Sequence, residues 1–144
     1  MLGAAPALKR LLGTDSYVDA KVGRQFTEGV DIVNWLRAQH RLGQLVIIHL
    51  GNNGSVTGGN VTKMLQALSD VPTVLLVNVR VTRDWETAVN DMLASQAGRF
   101  PNVHLIDWYD ASAGHGDDFY SDGTHLNASG QKLYASVIQS ALGG

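Results

Sequence analysis

The chain has 144 residues, 44% of them hydrophobic and 17% charged, and this size and composition predict one globular domain with its own core. Its formal net charge of -2 disfavours a nucleic-acid or anionic-membrane partner, because such surfaces need an excess of lysine and arginine. The lack of cysteine excludes disulfides and thiolate metal sites. No apolar run is long enough to span a bilayer, so a soluble domain is expected.

Helical and strand patterns alternate along the chain. In order, they predict a helix that ends at Gly13, a strand over 17–22, a helix over 27–40, a strand over 45–48, a helix over 61–68, a strand over 74–77, a helix over 85–97, a strand over 103–106 and a last helix after Asn127. Pro6 suits the first turn of the first helix, and Thr27 and Asn127 can cap the second and the last. The apolar run over 45–48 is typical of a central parallel strand. This alternation predicts an α/β domain with a mostly parallel sheet.

Polar loops follow several of the predicted strands. In open parallel sheets the ligand site lies at the carboxyl ends of the strands, so Gly23, Asn53 and the loop that holds Asp122 and His125 should share one rim. An aspartate can orient a histidine while the other ring nitrogen moves a proton. The Gly23 N–H and the Asn53 amide are two donors suited to the negative oxygen of a tetrahedral intermediate. Each residue alone also fits an ordinary turn, and only the combination indicates a site.

Three motifs, in this order, resemble the sequence blocks of the SGNH hydrolase superfamily, also called GDSL-like esterases. Val22-Gly23-Arg24-Gln25-Phe26 matches the glycine block, His49-Leu50-Gly51-Asn52-Asn53-Gly54 the asparagine block and Asp122-Gly123-Thr124-His125-Leu126 the final block. The resemblance covers nearly the whole chain and implies a flavodoxin-like three-layer α/β/α sandwich. Met1-Leu2-Gly3-Ala4-Ala5-Pro6 and Ser112-Ala113-Gly114-His115 look like the SGNH domains attached to bacterial membrane acyltransferases that modify cell-envelope glycans.

The resemblance implies a serine nucleophile, with His125 as its base, Asp122 orienting that base, and Gly23 and Asn53 as the oxyanion hole. It places the serine in a Gly-Asp-Ser segment upstream of Met1, and this segment is preceded by the middle strand of a five-stranded sheet in the order 2-1-3-4-5. The chain is therefore expected to be a single domain over 1–144 that is truncated at its N-terminus and lacks its first strand. Two other serines are weaker candidates for the nucleophile: Ser16, in the loop after the first helix, and Ser55, beside Asn53.

The implied function is a serine ester hydrolase or O-acyltransferase domain acting on acyl esters, acetyl above all, of cell-envelope glycans. Arg24 and Gln25, beside the oxyanion glycine, are candidate substrate-binding residues, and Trp85 or Trp108 can stack on a sugar ring. The alternative is an inactive module that binds carbohydrate or docks to a partner, because a fold alone does not set function. No metal-ligand spacing is present, and we expect neither a metal nor an organic cofactor.

The resemblance also implies an extracytoplasmic or periplasmic location and a membrane acyltransferase domain as partner in the full-length protein. His49, at the end of a buried strand, is expected to be an interior histidine with its hydrogen bonds satisfied. A missing strand would leave unpaired backbone groups between the strands over 17–22 and 45–48, and such groups are costly. We therefore expect those two strands to pair directly, or a strand to be exchanged with a second copy, or the chain to be only marginally stable.

Overall fold

A computed structural model describes residues 2–13 and 15–143 of the chain. Within them, the strands are β1 (Leu45–Ile48), β2 (Thr73–Val77) and β3 (Val103–Ile106), and the helices are α1 (Ala5–Leu12), α2 (Phe26–Ala38), α3 (Gly58–Ala67), α4 (Glu86–Ala97), α5 (Trp108–Ala111) and α6 (Ala128–Leu142). Short 3-10 turns span Leu2–Ala4 and Gly116–Asp118. The predicted α/β architecture is thus confirmed.

The three strands form a parallel sheet in the order β1-β2-β3, with Leu45 opposite Thr73 and Val74 opposite Val103. Side chains of β2 alternate between two cores, as the period of a strand requires. Val74 and Leu76 pack with α2, α3 and α4 on one face of the sheet. The alternate residues of β2, Leu75 and Val77, pack with α1 and α6 on the other face. The result is a three-layer sandwich in which β2 is the central strand of the described sheet.

Residues 17–22 do not form the predicted strand. They run as irregular chain in which Val18 and Ala20 are partly buried, while Tyr17 and Val22 are 54% and 79% exposed. This segment and β1 line the same cavity, of about 960 Å³, and do not pair with each other. An alternating pattern becomes a strand only where a neighbouring strand takes up its backbone hydrogen bonds, and here it has none.

β1 is therefore an edge strand and not the central strand expected from its apolar run. Its only strand partner in the described sheet is β2, and the side chains of Leu45, Val46 and Ile47 are only partly buried and line the cavity. We call this cavity, bounded by β1 and by the segment 15–24, the β1 groove. It extends along the whole strand, from Arg41 at one end to His125 at the other.

Details of the helices also differ from the sequence-based expectation. Helix α2 begins at Phe26, and its cap is Gln25 instead of Thr27, because the Gln25 backbone N–H donates to Glu28 Oε2 at 2.7 Å in a capping box. The segment 109–122, to which the sequence pattern assigned neither a helix nor a strand, contains most of α5 and the turn Gly116–Asp118. The Asn127 cap of α6 is confirmed, since its side chain accepts from the N–H of Ser129 and of Gly130.

Gly130 lets α6 pack directly on the loop that carries the candidate site. A Cβ there would lie 2.1 Å from the backbone oxygen of Asp118, so we expect Gly130→Ala to lower the free energy of unfolding by about 1–3 kcal/mol, as overpacking does. Urea unfolding measures this change. The matched control is Gly59→Ala in α3, where nothing lies within 4 Å of the added Cβ and the change should stabilise the protein slightly. Equal stabilities for the two variants would contradict the packing argument.

Candidate functional site

The segment from Asp122 to His125 is a turn closed by its own carboxylate. Asp122 Oδ1 accepts hydrogen bonds from the backbone N–H of Thr124 at 2.9 Å and of His125 at 2.8 Å, while Oδ2 lies 2.7 Å from His125 Nδ1. Gly123 has φ +66, a backbone angle that glycine adopts without strain. One carboxylate thus holds both the backbone and the imidazole, and Nε2 is the ring nitrogen left to exchange a proton.

These hydrogen bonds lower the pKa of Asp122 to about 2, with the backbone N–H of His125 contributing most, followed by that of Thr124 and by the His125 ring. Because this pKa lies below the ordinary value of 3.8, the stabilisation of the turn is complete above pH 3.8 and is lost as the pH falls toward 2. Asp122 is therefore ionised wherever a neutral imidazole can act as a base. The side chains of Asp122 and His125 are 50% and 72% exposed, so the pair is open to a substrate.

Neighbouring residues fix this turn to the rest of the protein. Thr82, in the loop after β2, donates its hydroxyl to the backbone oxygen of Asp122 at 3.0 Å. Tyr120 donates its backbone N–H to the oxygen of His125 at 2.8 Å, beside a bridge between Phe119 and Leu126. The turn is thereby held from two sides while the imidazole itself stays accessible.

The structure brings the two candidate oxyanion donors to the same cavity as His125: Gly23, Asn53 and His125 all line the β1 groove. Gly23 has φ +71, and nothing lies within 4 Å of the position that a Cβ would take. The exposed Asn53 side chain donates from Nδ2 to the Arg24 oxygen at 3.2 Å, so one of its two amide hydrogens remains to be used. Two candidate donors and a candidate base thus line a common space.

The candidate substrate-binding residues are already engaged within the protein. Arg24 is paired with Asp19, and its side chain is only 15% exposed. Gln25 donates from Nε2 to the oxygens of both Gly23 (3.2 Å) and Asn53 (3.0 Å). Their contacts favour a structural role for both residues over direct contact with a substrate.

The described residues contain no serine that hydrogen-bonds to His125. Ser16 lines the β1 groove, but its hydroxyl donates to the Gly13 oxygen at 2.7 Å and closes the turn after α1. Ser55 is exposed and lies outside the cavity lining. The geometry therefore gives neither residue the partner that a serine nucleophile needs.

The aromatic residue beside the site is Tyr120, which the sequence interpretation missed. Its side chain is 59% exposed and lines the cavity together with His125. Trp108, by contrast, is fully buried against Tyr134 and Phe119 and presents no face to a sugar, whereas Trp85 is partly buried and packs on the core. Tyr120 lies two residues before Asp122 in the sequence, and this proximity could have identified it as a residue of the site.

His49 is not the fully satisfied histidine that was expected. Its Nδ1 lies 2.8 Å from the hydroxyl of the buried Tyr134, but its Nε2 is shielded from water and has no partner among the described residues. Although the residue as a whole is only partly buried and lines the β1 groove, its ring is desolvated, and this burial lowers the pKa of His49 to about 3.

Residues 2–13 and 15–143 contain no cluster of three or more histidine, aspartate or glutamate side chains that could hold a metal ion. His115 instead pairs with Asp118, at 3.2 Å. None of the helices in the same residues combines the length and the apolar character needed to cross a membrane.

No protein-family model matches the chain. It is 37% identical, over 125 residues, to O-acetyltransferase OatA of Staphylococcus aureus strain NCTC 8325, an alignment that covers 86% of this chain and 21% of that protein. Peptidoglycan O-acetyltransferase OatA of Listeria monocytogenes is 34% identical over 142 residues, which are 99% of this chain and 22% of that protein. The chain thus spans about a fifth of the length of the curated relatives that it matches.

A solved structure shares the fold. The C-terminal catalytic domain of the Streptococcus pneumoniae peptidoglycan O-acetyltransferase A superposes with a TM-score of 0.85 at 22% identity, over 99% of this chain and 87% of that one. The resemblance inferred from the sequence is therefore confirmed: the chain has the fold of the SGNH (GDSL-like) hydrolases and is homologous to a part of the peptidoglycan O-acetyltransferases.

Proposed function

We propose that this domain transfers or hydrolyses acyl groups, acetyl above all, on the glycans of the bacterial cell envelope. The observation that carries the proposal is the shared cavity: the Asp122–His125 pair, joined at 2.7 Å, opens onto the same space as Gly23 and Asn53. The names of the relatives, O-acetyltransferase and peptidoglycan O-acetyltransferase, support the choice of acetyl group and glycan.

The chemistry follows from the position of each group. The hydroxyl oxygen of the serine bonds to the acetyl carbonyl carbon while His125 Nε2 takes the hydroxyl proton. Asp122 stabilises the imidazolium that results. The carbonyl oxygen becomes an oxyanion that accepts from the Gly23 N–H and the Asn53 amide. The proton then passes to the leaving alcohol, and an acetyl-serine remains. Water or a sugar hydroxyl, deprotonated by His125, attacks this ester to give acetate or an acetylated glycan.

The serine, in our proposal, lies at the carboxyl end of an extended segment that fills the β1 groove. The groove follows a strand edge that no described residue pairs, and it ends beside His125 and Asn53. A strand parallel to β1 would therefore deliver its last residue to the base and the oxyanion donors. This is also where the family resemblance places the Gly-Asp-Ser segment.

Substrate and partners extend the same proposal. Tyr120, exposed beside His125, offers a flat face on which a sugar ring can stack.

We further propose an extracytoplasmic location and a membrane acyltransferase domain as the donor of the acetyl group, in keeping with relatives about five times longer than this chain. The inactive binding module is not favoured, because the relatives compared above are named as enzymes.

The oxyanion assignment gives the test of this function. In a form of the protein that includes the serine-bearing segment, Asn53→Ala should lower kcat for an aryl acetate about 10²–10³-fold with little change in KM. Asn34→Ala, at an exposed position of α2, is the matched control and should leave kcat unchanged. A glycan acceptor, added with mass-spectrometric detection of its acetylated product, separates transfer from hydrolysis. Glycan binding without turnover in every form would instead establish the inactive module.

A further inference from the structure

The segment 23–25 and the loop that carries Asn53 are joined by reciprocal side-chain hydrogen bonds. Gln25 Nε2 donates to the Asn53 oxygen at 3.0 Å and to the Gly23 oxygen at 3.2 Å. Asn53 Nδ2 donates in return to the Arg24 oxygen at 3.2 Å. We call this set of three hydrogen bonds the amide clasp. It connects positions 28 and 29 residues apart, so it is a tertiary feature and not a local turn.

A glycine beside Asn53 permits the close approach of the two loops. Gly54 has φ +150, and a Cβ there would lie only 3.3 Å from Gln25 Oε1, so the glycine permits this approach. The Gln25 backbone is itself anchored to Glu28 at the start of α2. Both hydrogens of the Gln25 amide are used inside the protein, which leaves this side chain no free donor for a substrate.

We infer that Gln25 is a positioning residue that sets the separation of the Gly23 N–H and the Asn53 amide. One planar NH₂ group binds a backbone oxygen from each loop, so the two loops cannot move apart without breaking a hydrogen bond. The clasp binds Gly23 through its carbonyl oxygen, so the Gly23 N–H takes no part in the clasp. The inference rests on the proposed function, in which these two donors share one oxyanion, and a misplacement of about 1 Å in such a site can cost 10²-fold in rate.

The clasp is tested on this chain without any need for turnover. Gln25→Met keeps the length of the side chain and removes its donors. We expect the ¹⁵N order parameters of Gly23 and Asn53 to fall from about 0.85 toward 0.6 or lower, while those of the central strand β2 stay near 0.85. Gln39→Met, the same substitution at the exposed C-terminal cap of α2, should leave both order parameters as they are. Order retained at both positions in Gln25→Met overturns the inference.

A second measurement connects the clasp to the oxyanion donors, with acetate as the probe. Acetate should shift the Gly23 N–H and Asn53 Nδ2 signals of the unmodified chain, and Gln25→Met should weaken its binding roughly two- to tenfold. Unchanged acetate affinity in a variant whose loops have lost order would also overturn the positioning role. If acetate shifts neither signal in the unmodified chain, the proposed oxyanion hole fails, and the order parameters still decide whether the clasp exists.

Discussion

Supplying a serine-bearing strand should raise the aryl acetate turnover of this chain by about 10³-fold or more. In residues 2–13 and 15–143 no serine hydrogen-bonds to His125, so the imidazole can activate only water, and less effectively. The chain by itself should therefore show only residual hydrolysis. The gain is large because a positioned serine converts a bimolecular attack into one within a single site.

The strand can be added as a peptide because the β1 groove runs along an edge of β1 that no described strand pairs. A partner for the four residues of β1 needs about 13 Å of extended chain, with apolar side chains for the partly buried Leu45, Val46 and Ile47. The experiment adds an apolar peptide that ends in Gly-Asp-Ser and follows the release of nitrophenol from nitrophenyl acetate. The same peptide with alanine in place of serine is the first control, and the His125→Ala variant is the second. Both should remain at the residual rate.

Two results would contradict this expectation. Robust hydrolysis by the chain alone would show that a described residue already serves as nucleophile, and loss of that activity in Ser16→Ala would identify it. A rate that rises with peptide but persists in His125→Ala would remove the proposed base. Pairing of the peptide with β1 is checked separately, by protection of the β1 amides from hydrogen exchange.

The sequence correctly predicted those elements that a short stretch of neighbouring residues determines. The runs at β1, β2 and β3 and the Asn127 cap of α6 were all found where expected, because each is determined by a few neighbouring residues. The segment 17–22 failed as a strand because alternation says nothing about whether a partner strand is present. β1 failed as a central strand for the same reason: its neighbours, and not its own composition, decide its place in the sheet.

The site shows the same division between local and tertiary information. The contact between Asp122 and His125 spans three residues and can be predicted from a motif. The amide clasp between Gln25 and Asn53 cannot, because its partners are 28 residues apart and meet only through the tertiary fold. Trp108 was wrongly offered as a sugar-stacking residue, since nothing in the sequence shows that Tyr134 and Phe119 enclose it.

Acidification should destabilise the protein through His49. Its pKa is lowered from the ordinary 6.5 to about 3 by burial, so between these two pH values the unfolded chain binds a proton that the folded chain excludes. The free energy of unfolding must then fall as the pH falls, by up to about 1.4 kcal/mol per pH unit across this window. The unpartnered Nε2 gives the structural reason, because an imidazolium would bury a second donor with nothing to accept from it.

Urea unfolding at pH 6.5, 5.5 and 4.5 measures this slope, and His49→Gln should remove most of it, since glutamine keeps a polar group near Tyr134 and does not titrate. The carboxylates contribute an acid slope of their own, but it is common to all variants and cancels in the difference between them. The matched control is His104→Gln, the same substitution at an exposed histidine of β3, which should keep the slope of the unmodified chain. If His49→Gln and His104→Gln lose stability equally as the pH falls, His49 is not held neutral by the fold, and the desolvated ring inferred at the end of β1 is wrong.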